Sequence, residues 1–333
     1  MTRSVGAILA VVGGSGFIGN HLVAALAADP GVRRIYVLDR APSMQWSEKV
    51  AYRYVNVDRP ISLELPDQVD GVFHLAALCR EPGYEWDQYF RTNHLGTRHV
   101  ADWAERSGIR SIVFASTAMV FRAGPDARHE DDVLDADTAY GISKALAEEV
   151  LRGWQARGTG GARRLGVVRP GAVFGKGCGG NFVNLHRSLK LGTFAYVGQP
   201  DTVKSCIYVK DLVALLIHLM RGGQALPDVA VAHGAFPVAT SIQSICEACC
   251  EVFGWRRVIP TVPFRAALAA SLPFQILNDL GFSNPIHRRR VEKLFYSTHL
   301  AADRLAEYDF EMQYGVAEAL RDWRDSCSPA DPY

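Results

Sequence analysis

No stretch of this chain approaches the ~20 consecutive apolar residues that span a bilayer. Nothing in it repeats, and no tract falls to low complexity. An excess of either charge is missing too: 36 Lys and Arg stand against 35 Asp and Glu, a net charge of +1. Bulk electrostatics of that size would not hold nucleic acid or an anionic membrane. The seven cysteines lack a recurring spacing, which fits reduced thiols better than a disulfide framework. Cys246, Cys249 and Cys250 fall in a helical pattern without a second ligand pair nearby, and His74, His94, His99 and His218 have no metal-site spacing. The chain therefore reads as cytoplasmic, with no metal, no nucleic-acid partner and no membrane insertion. The apolar run after Arg3 is short and leads straight into glycines, so it reads as a buried first strand, not a signal peptide.

The 333 residues, 48% hydrophobic, suit one large domain plus a smaller one. Short apolar runs at Ile8–Val12, Ile35–Leu38, Tyr52–Val57, Gly71–Leu75, Ser111–Ala115 and Leu165–Val168 predict strands. Helical spacing between them is clearest over Ile18–Ala28, Asn93–Ser107 and Tyr140–Trp154. Apolar strands alternating with helices predict an α/β fold, a Rossmann doubly wound parallel sheet covered on both faces. After Arg169-Pro170 the rhythm changes. Gly171–Gly180 reads as a mobile glycine-rich loop. Ile207–Val209 predicts one more strand and Asp211–Met220 one more helix, so residues 205–222 are expected to return to the main sheet. Pro227 onward reads as helices and turns with little alternation. The expected division is a nucleotide-binding domain over residues 1–168 and a smaller, discontinuous substrate-binding domain over residues 169–333, closing over the strand ends.

Gly13-x-x-Gly16-x-x-Gly19 lies between the first strand and the first helix, where a phosphate site belongs. Gly13 serves the tight turn, Gly16 the approach of a pyrophosphate and Gly19 the packing of the helix. Asp39 ends the second strand, where a carboxylate accepts the hydroxyls of an adenosine ribose and repels a 2′-phosphate. NAD is thus favoured over NADP, although the guanidinium of Arg40 is placed to accept that phosphate.

Tyr140 and Lys144 open a helix at i and i+4 and so share a face. An isolated pair of this kind is usually an ordinary helix surface, but here a strand ending in Ser116-Thr117 precedes it. Thr117 is expected to orient a reacting oxygen and Tyr140 to exchange its proton. Lys144 is expected to lower the phenol's pKa and hold the nicotinamide ribose, while the nicotinamide takes hydride from carbon.

Together these pieces resemble the extended short-chain dehydrogenase/reductases, within the NAD-dependent epimerase/dehydratase group. The matching segments are GGSGFIG, Asp39, Val57-Asp58, His74-Leu75-Ala76-Ala77, Asn93-His-Leu-Gly-Thr97, Ser116-Thr117-Ala-Met-Val, YGISK, and Val168-Arg169-Pro170-Gly-Ala-Val-Phe-Gly175. The resemblance implies a catalytic set of Thr117, Tyr140 and Lys144. Around the cofactor it implies Gly13, Gly16, Phe17, Ile18, Gly19, Asp39 and Arg40, with Asp58 at the adenine. Leu75, Ala76 and Ala77 would line the groove, with Ser116, Pro170, Val173, Tyr140 and Lys144 completing it. Asn93 matches a position that either supports the site or ties a helix to the sheet. Val12 replaces the group's usual threonine, and Phe121 its usual tyrosine. Dehydration needs an acid and a base after the catalytic threonine, and Ala118-Met119 offers neither.

The resemblance further implies substrate contacts at Thr117, Met119, Asn181, Lys204, Arg288 and Arg290. Lys204 stands where the group's sugar-nucleotide epimerases keep a phosphate-binding arginine. A nucleotide-diphosphate sugar, 4-epimerised or 4-keto-reduced by a homodimer with NAD, is the leading expectation. The apolar segment Phe264–Leu280 also admits a steroid- or flavonoid-type hydroxy/keto dehydrogenase, and reads as a packing helix, an apolar substrate wall, or a dimer or membrane contact. A non-catalytic NAD-sensing interaction protein is the alternative of another class.

Overall fold

A computed structural model describes residues 6–81, 83–158, 163–223, 226–279 and 288–327. Its first half alternates as the apolar runs predict: β1 (Ala7–Val12), α1 (Phe17–Ala28), β2 (Val32–Asp39), β3 (Val50–Tyr54) and β4 (Gly71–His74). Next come α2 (Trp86–Tyr89), a π-helical stretch (Phe90–Leu95), α3 (Gly96–Arg106), β5 (Ser111–Ala115), a 3-10 turn (Ala118–Val120), α4 (Ala139–Ala156) and β6 (Arg164–Pro170). The second half holds β7 (Ala172–Phe174), α5 (Asn181–Leu191), β8 (Tyr196–Val197), β9 (Cys206–Tyr208), α6 (Val209–Arg221) and β10 (Val229–Gly234). It continues with α7 (Ile242–Phe253), β11 (Thr261–Val262), α8 (Phe264–Asp279), α9 (Arg288–Phe295), α10 (Arg304–Glu307) and α11 (Val316–Ser326).

Seven parallel strands form the main sheet in the order β10-β6-β5-β4-β1-β2-β3. The order reverses beside β1, so the crevice outside the carboxyl ends of β1 and β4 is where such a sheet takes a ligand. Both faces are covered. On one, Trp103 of α3 and Trp154 of α4 lie fully buried with Ile8, Tyr36, Ile112 and Val167. On the other, α1 and α6 bury Leu22, Leu26, Leu212 and Leu216 against Val11, Val37 and Val113. Burial on both faces explains why these strands read as continuous apolar runs.

Three sequence expectations change. The strand near Ile207 does not join the main sheet: β9 pairs in parallel with β7, so the segment expected to be a glycine-rich loop contains a strand. Gly171 permits this corner, since a Cβ there would lie 2.3 Å from the Ser205 carbonyl oxygen. Only α6 returns to cover the sheet. The seventh strand is instead β10, paired with β6 in a region expected to hold helices and turns. Its sequence VAVAHG is small and buried along almost its whole length, so no alternation marked it. The smaller unit gathers α5, α7, α11 and the strand pairs β7-β9 and β8-β11 around Phe174, Phe182, Cys246, Cys249 and Trp323. Cys246 and Cys249 are thus core residues, and burial pushes the Cys246 thiol up to about 12.

Candidate active site

The glycine loop is built by contact as much as by conformation. Gly13 has φ +82°, and a Cβ on it would come within 2.4 Å of the Ala76 amide nitrogen. A Cβ on Gly19 would lie 2.5 Å from the Gly13 carbonyl oxygen. Only glycine therefore lets α1 start this close to β1 and to the segment after β4, where Leu75 and Ala76 both donate to the Val12 carbonyl. At Gly16 a Cβ would meet just one atom, the Gly13 oxygen at 3.4 Å, so the backbone here is open to an approaching group. Phe17 and Ile18 form the first turn of α1, whose N-terminal amides carry the positive end of the helix dipole.

Asp39 is held beside this loop. Its Oδ2 accepts from the Ser15 amide at 3.0 Å, and its Oδ1 accepts from the Arg40 and Ala41 amides at 2.6 and 3.2 Å. The carboxylate is fixed yet partly exposed, while Arg40 points into solvent. Asp58 follows β3 and accepts from the Thr92 hydroxyl at 2.7 Å. Past β7 the chain folds back over α1: the Lys176 carbonyl bonds to the His21 ring at 2.8 Å, and Gly177 faces Phe17. Val173 lies in β7 and Pro170 at the end of β6. A cradle that a Cβ would fill, an N-terminal helix turn and a ribose-ready carboxylate together fit a dinucleotide.

The predicted catalytic residues converge. Thr117, Tyr140 and Lys144 are all buried, at 7%, 8% and 1% exposure. Thr117 follows β5 and accepts the Met119 amide as it opens the 3-10 turn. Thr138 caps α4 by accepting from the Gly141 amide at 3.1 Å, which starts the helix one residue before Tyr140. Gly141 sets the distance between the two elements, because a Cβ there would lie 2.0 Å from the Met119 carbonyl oxygen. Met119 is thereby placed at the same mouth, half-buried.

Electrostatics departs from the sequence expectation. Burial pushes the Tyr140 phenol well above its ordinary value, with Cys79 adding to the rise and a hydrogen bond with Thr117 opposing it. Burial also lowers the Lys144 ammonium to about 7, against an upward pull from Glu148 and then Cys79. Lys144 donates to the Ala115 carbonyl at 2.5 Å and lies 3.9 Å from the centre of the Phe114 ring. Its ammonium is thus anchored at the end of β5.

Behind the triad lies a buried network that sequence reasoning passed over. Glu148, fully buried one turn after Lys144, receives Arg169 through two bonds of 3.1 and 2.8 Å. Ser116, expected in the cofactor groove, donates to the same carboxylate at 2.5 Å. Arg169 also donates to the Glu130 carbonyl at 2.9 Å. The signal was available: Glu148 continues the i, i+4 face of Tyr140 and Lys144, and Arg169 falls within a matched motif. Phe121 meets both the Arg169 and Arg128 cations, at 5.3 and 5.6 Å from its ring centre.

For Asn93 the tying role is what the geometry displays. Its amide donates to the Leu78 carbonyl and the Ser143 hydroxyl, and its oxygen accepts from the Leu78 amide. That clamps the segment after β4 to α4 from within the π-helical stretch. His74 beneath it bonds to Thr97 at 2.9 Å, and burial lowers the imidazole to about 3. Tyr84 stands edge-on to Tyr89, whose ring packs 6.2 Å from Tyr140, whereas Trp86 stacks on Phe90.

The expected substrate residues are spread more widely. Asn181 is exposed at the first turn of α5. Lys204 lies between the Thr240 and Thr298 segments and donates to the Tyr296 carbonyl, just past α9; burial lowers its ammonium to about 8. Arg288 and Arg290 open α9 by their backbone, but their side chains lie outside the described residues, as does all of His287. Within α8, Phe264 stacks on Phe295 at 4.0 Å, while Leu272 and Phe274 are exposed. Leu280 lies outside the described residues.

The chain is 27% identical over 321 residues to N-acetyl-alpha-D-glucosaminyl-diphospho-ditrans,octacis-undecaprenol 4-epimerase of Escherichia coli O157:H7, covering 93% of this chain and 92% of that protein. It is 27% identical over 259 residues to 3 beta-hydroxysteroid dehydrogenase/Delta 5-->4-isomerase of Mycobacterium tuberculosis (strain CDC 1551 / Oshkosh), covering 72% and 67%. In fold it superposes on MoeE5, solved in complex with UDP-glucuronic acid and NAD, with a TM-score of 0.72 at 23% identity over 96% of this chain and 98% of the other. The model of the NAD dependent epimerase/dehydratase family matches residues 9–232, from β1 into β10. With that match, the glycine cradle at β1 and the buried Thr117, Tyr140 and Lys144, the chain belongs to the NAD dependent epimerase/dehydratase family.

Proposed function

We propose that this chain is an NAD-dependent 4-epimerase of a sugar carried on a diphosphate, with 4-keto reduction as the nearest variant of the same chemistry. The observation that carries the reading is the convergence of Thr117, Tyr140 and Lys144 at the end of β5, beside the glycine cradle. Its relative from Escherichia coli O157:H7, matched over nearly the whole of both chains, supports a sugar diphosphate linked to a polyprenol. The steroid reading has the shorter mycobacterial match and the exposed apolar side chains of α8 in its favour.

Bound NAD would supply a hydride acceptor at the sugar carbon, and the same carrier would return the hydride in the second half of an epimerisation. Gly13, Gly16, Gly19 and the first turn of α1 would hold its pyrophosphate, and Asp39 its adenosine ribose. Thr117 orients the sugar hydroxyl against Tyr140. As the phenolate, Tyr140 takes the hydroxyl proton while the carbonyl forms, and the resulting phenol returns that proton when the hydroxyl is restored. Lys144, balanced near neutrality by burial, holds a positive charge beside the reacting groups while the Ala115 carbonyl keeps it in place. Ala118 and Met119 hold no proton to give, so water is not eliminated. Lys204, Asn181, Arg288 and Arg290 are the proposed diphosphate contacts.

A homodimer belongs to the same proposal, with the groove between α3 and α4, lined by His94, Arg98, Asp102, Glu105, Leu146 and Arg157, as its candidate face. Incubation with UDP-sugars and with a polyprenyl-diphospho-sugar tests the reading: interconversion of 4-epimers without net change at 340 nm supports it. Turnover of a sterol with no sugar converted would overturn it.

A further inference from the structure

The overall charge balance conceals a segregation. Residues 181–200 and 252–274 carry five Lys and Arg, namely Arg187, Lys190, Arg256, Arg257 and Arg265, and no Asp or Glu. The fold brings these two stretches into one unit. β8 pairs with β11, and the Tyr196 amide donates to the Pro260 carbonyl. Arg257 donates to the Leu189 and Lys190 carbonyls at 2.9 and 2.6 Å, fastening the end of α7 to the end of α5. Phe264 of α8 stacks on Phe295 of α9, and Phe295 lies against Gly198 just past β8.

The same unit displays apolar side chains to solvent. Val258 is 98% exposed, Leu191 72% and Leu272 50%. On α8 the exposed positions are Arg265, Ala266, Ala269, Ala270, Leu272, Pro273 and Phe274, an apolar helix whose one charge over that span is positive. Single exposed leucines and valines are ordinary, but here they share two joined stretches with five cations and no anion. Arg187, Lys190, Arg256 and Arg265 are exposed in the same stretches. Exposed apolar side chains interspersed with Arg and Lys suit the boundary between anionic headgroups and acyl chains, where burial and charge add.

We infer that the unit formed by the end of α5, the β8-β11 pair and the first ten or so residues of α8 is a docking surface for an anionic phospholipid bilayer. The inference rests on the polyprenyl-diphosphate reading above, since such a substrate keeps its lipid in the membrane while its sugar must reach Tyr140. A bilayer rich in anionic lipid complements stretches whose described charges are all positive. Lys204 ties this unit to the substrate residues through the Tyr296 carbonyl.

Flotation of the purified full chain with vesicles tests it without any substrate. Binding is expected to phosphatidylcholine vesicles containing phosphatidylglycerol, to be absent with phosphatidylcholine alone, and to weaken as salt rises. Each cation near the surface contributes about fivefold to binding, so Arg256→Glu with Arg265→Glu should cost more than about tenfold. Leu191→Glu with Val258→Glu should reduce binding by a similar factor through lost insertion, about tenfold or more. Both double variants should keep the wild-type circular dichroism and its turnover of UDP-sugar. Absence of vesicle binding, or equal binding by the variants, overturns the surface. So does light scattering that shows the apolar variant dissociating an oligomer with no vesicle bound, which would make a second copy the occupant. Vesicle binding without turnover of the polyprenyl-linked sugar would overturn the substrate reading and leave the surface standing.

Discussion

Tyr140 and Lys144 show how burial rewrites what spacing alone implies. The i, i+4 relation places them on one face of α4, yet the phenol is raised and the ammonium lowered because each has lost its water. Tyr140→Phe removes the transferable proton and little else, so kcat is expected to fall at least about a hundredfold. Unchanged NAD content in the purified variant would check that the cradle is intact. Lys144 has a second, thermodynamic signature. Its folded value of about 7 lies below the ordinary 10.5, so between those values the unfolded chain binds the proton more readily. Stability is therefore lost as pH falls from 10.5 toward 7, and the penalty is constant below that. Lys144→Met should raise Tm relative to the wild type by more than about 2 °C at pH 7, with the gain shrinking toward pH 10. A gain that grew with pH would sink the assignment. Asp39→Ala should weaken NAD more than NADPH in a fluorescence titration, since it removes both a ribose acceptor and the charge that repels a 2′-phosphate.

Elements meet where a missing Cβ or a buried ion pair lets them. The convergence of Thr117, Tyr140 and Lys144, the glycine turn and the place of Asp39 were legible because each is local: a motif on one turn, in the context of a strand end. The pairing behind them was not: Glu148 and Arg169 each hold a recognisable position, but on different elements, and only the fold joins them. Removing one partner leaves the other charged and dry. Arg169→Met should therefore cost about 3–5 kcal/mol in denaturant unfolding, and the double change with Glu148→Gln should recover part of it. Gly141→Ala tests the spacing of α4 from the 3-10 turn. A Cβ at 2.0 Å from a backbone oxygen forces one element back, so kcat should drop while KM for NAD, set across the sheet at β1, changes little.

On the scale of the whole molecule, α/β alternation predicted the sheet through β6 and failed at its last strand. Burial on both faces and small residues erase the pattern of β10, and the short β9, apolar enough to look like a sheet strand, pairs elsewhere. Charge also deceived at this scale. A near-zero total says nothing about where five cations without an anion lie, and that became visible once β8 and β11 joined distant stretches.

The late arrival of β10 has a consequence for how the chain is made. The sheet that holds the cofactor cradle is closed at one edge only when residues 229–234 pair with β6. A ribosome that has released the first 170 residues has delivered six strands of the seven, but neither the edge that covers β6 nor α6, which packs on α1. At about 5–20 residues per second, the exposed β6 waits several seconds for its neighbour. During that interval β6 offers an unpaired, strongly apolar edge to other nascent chains. Early stalling on the message, not only substitution in the protein, should therefore send this molecule toward aggregation.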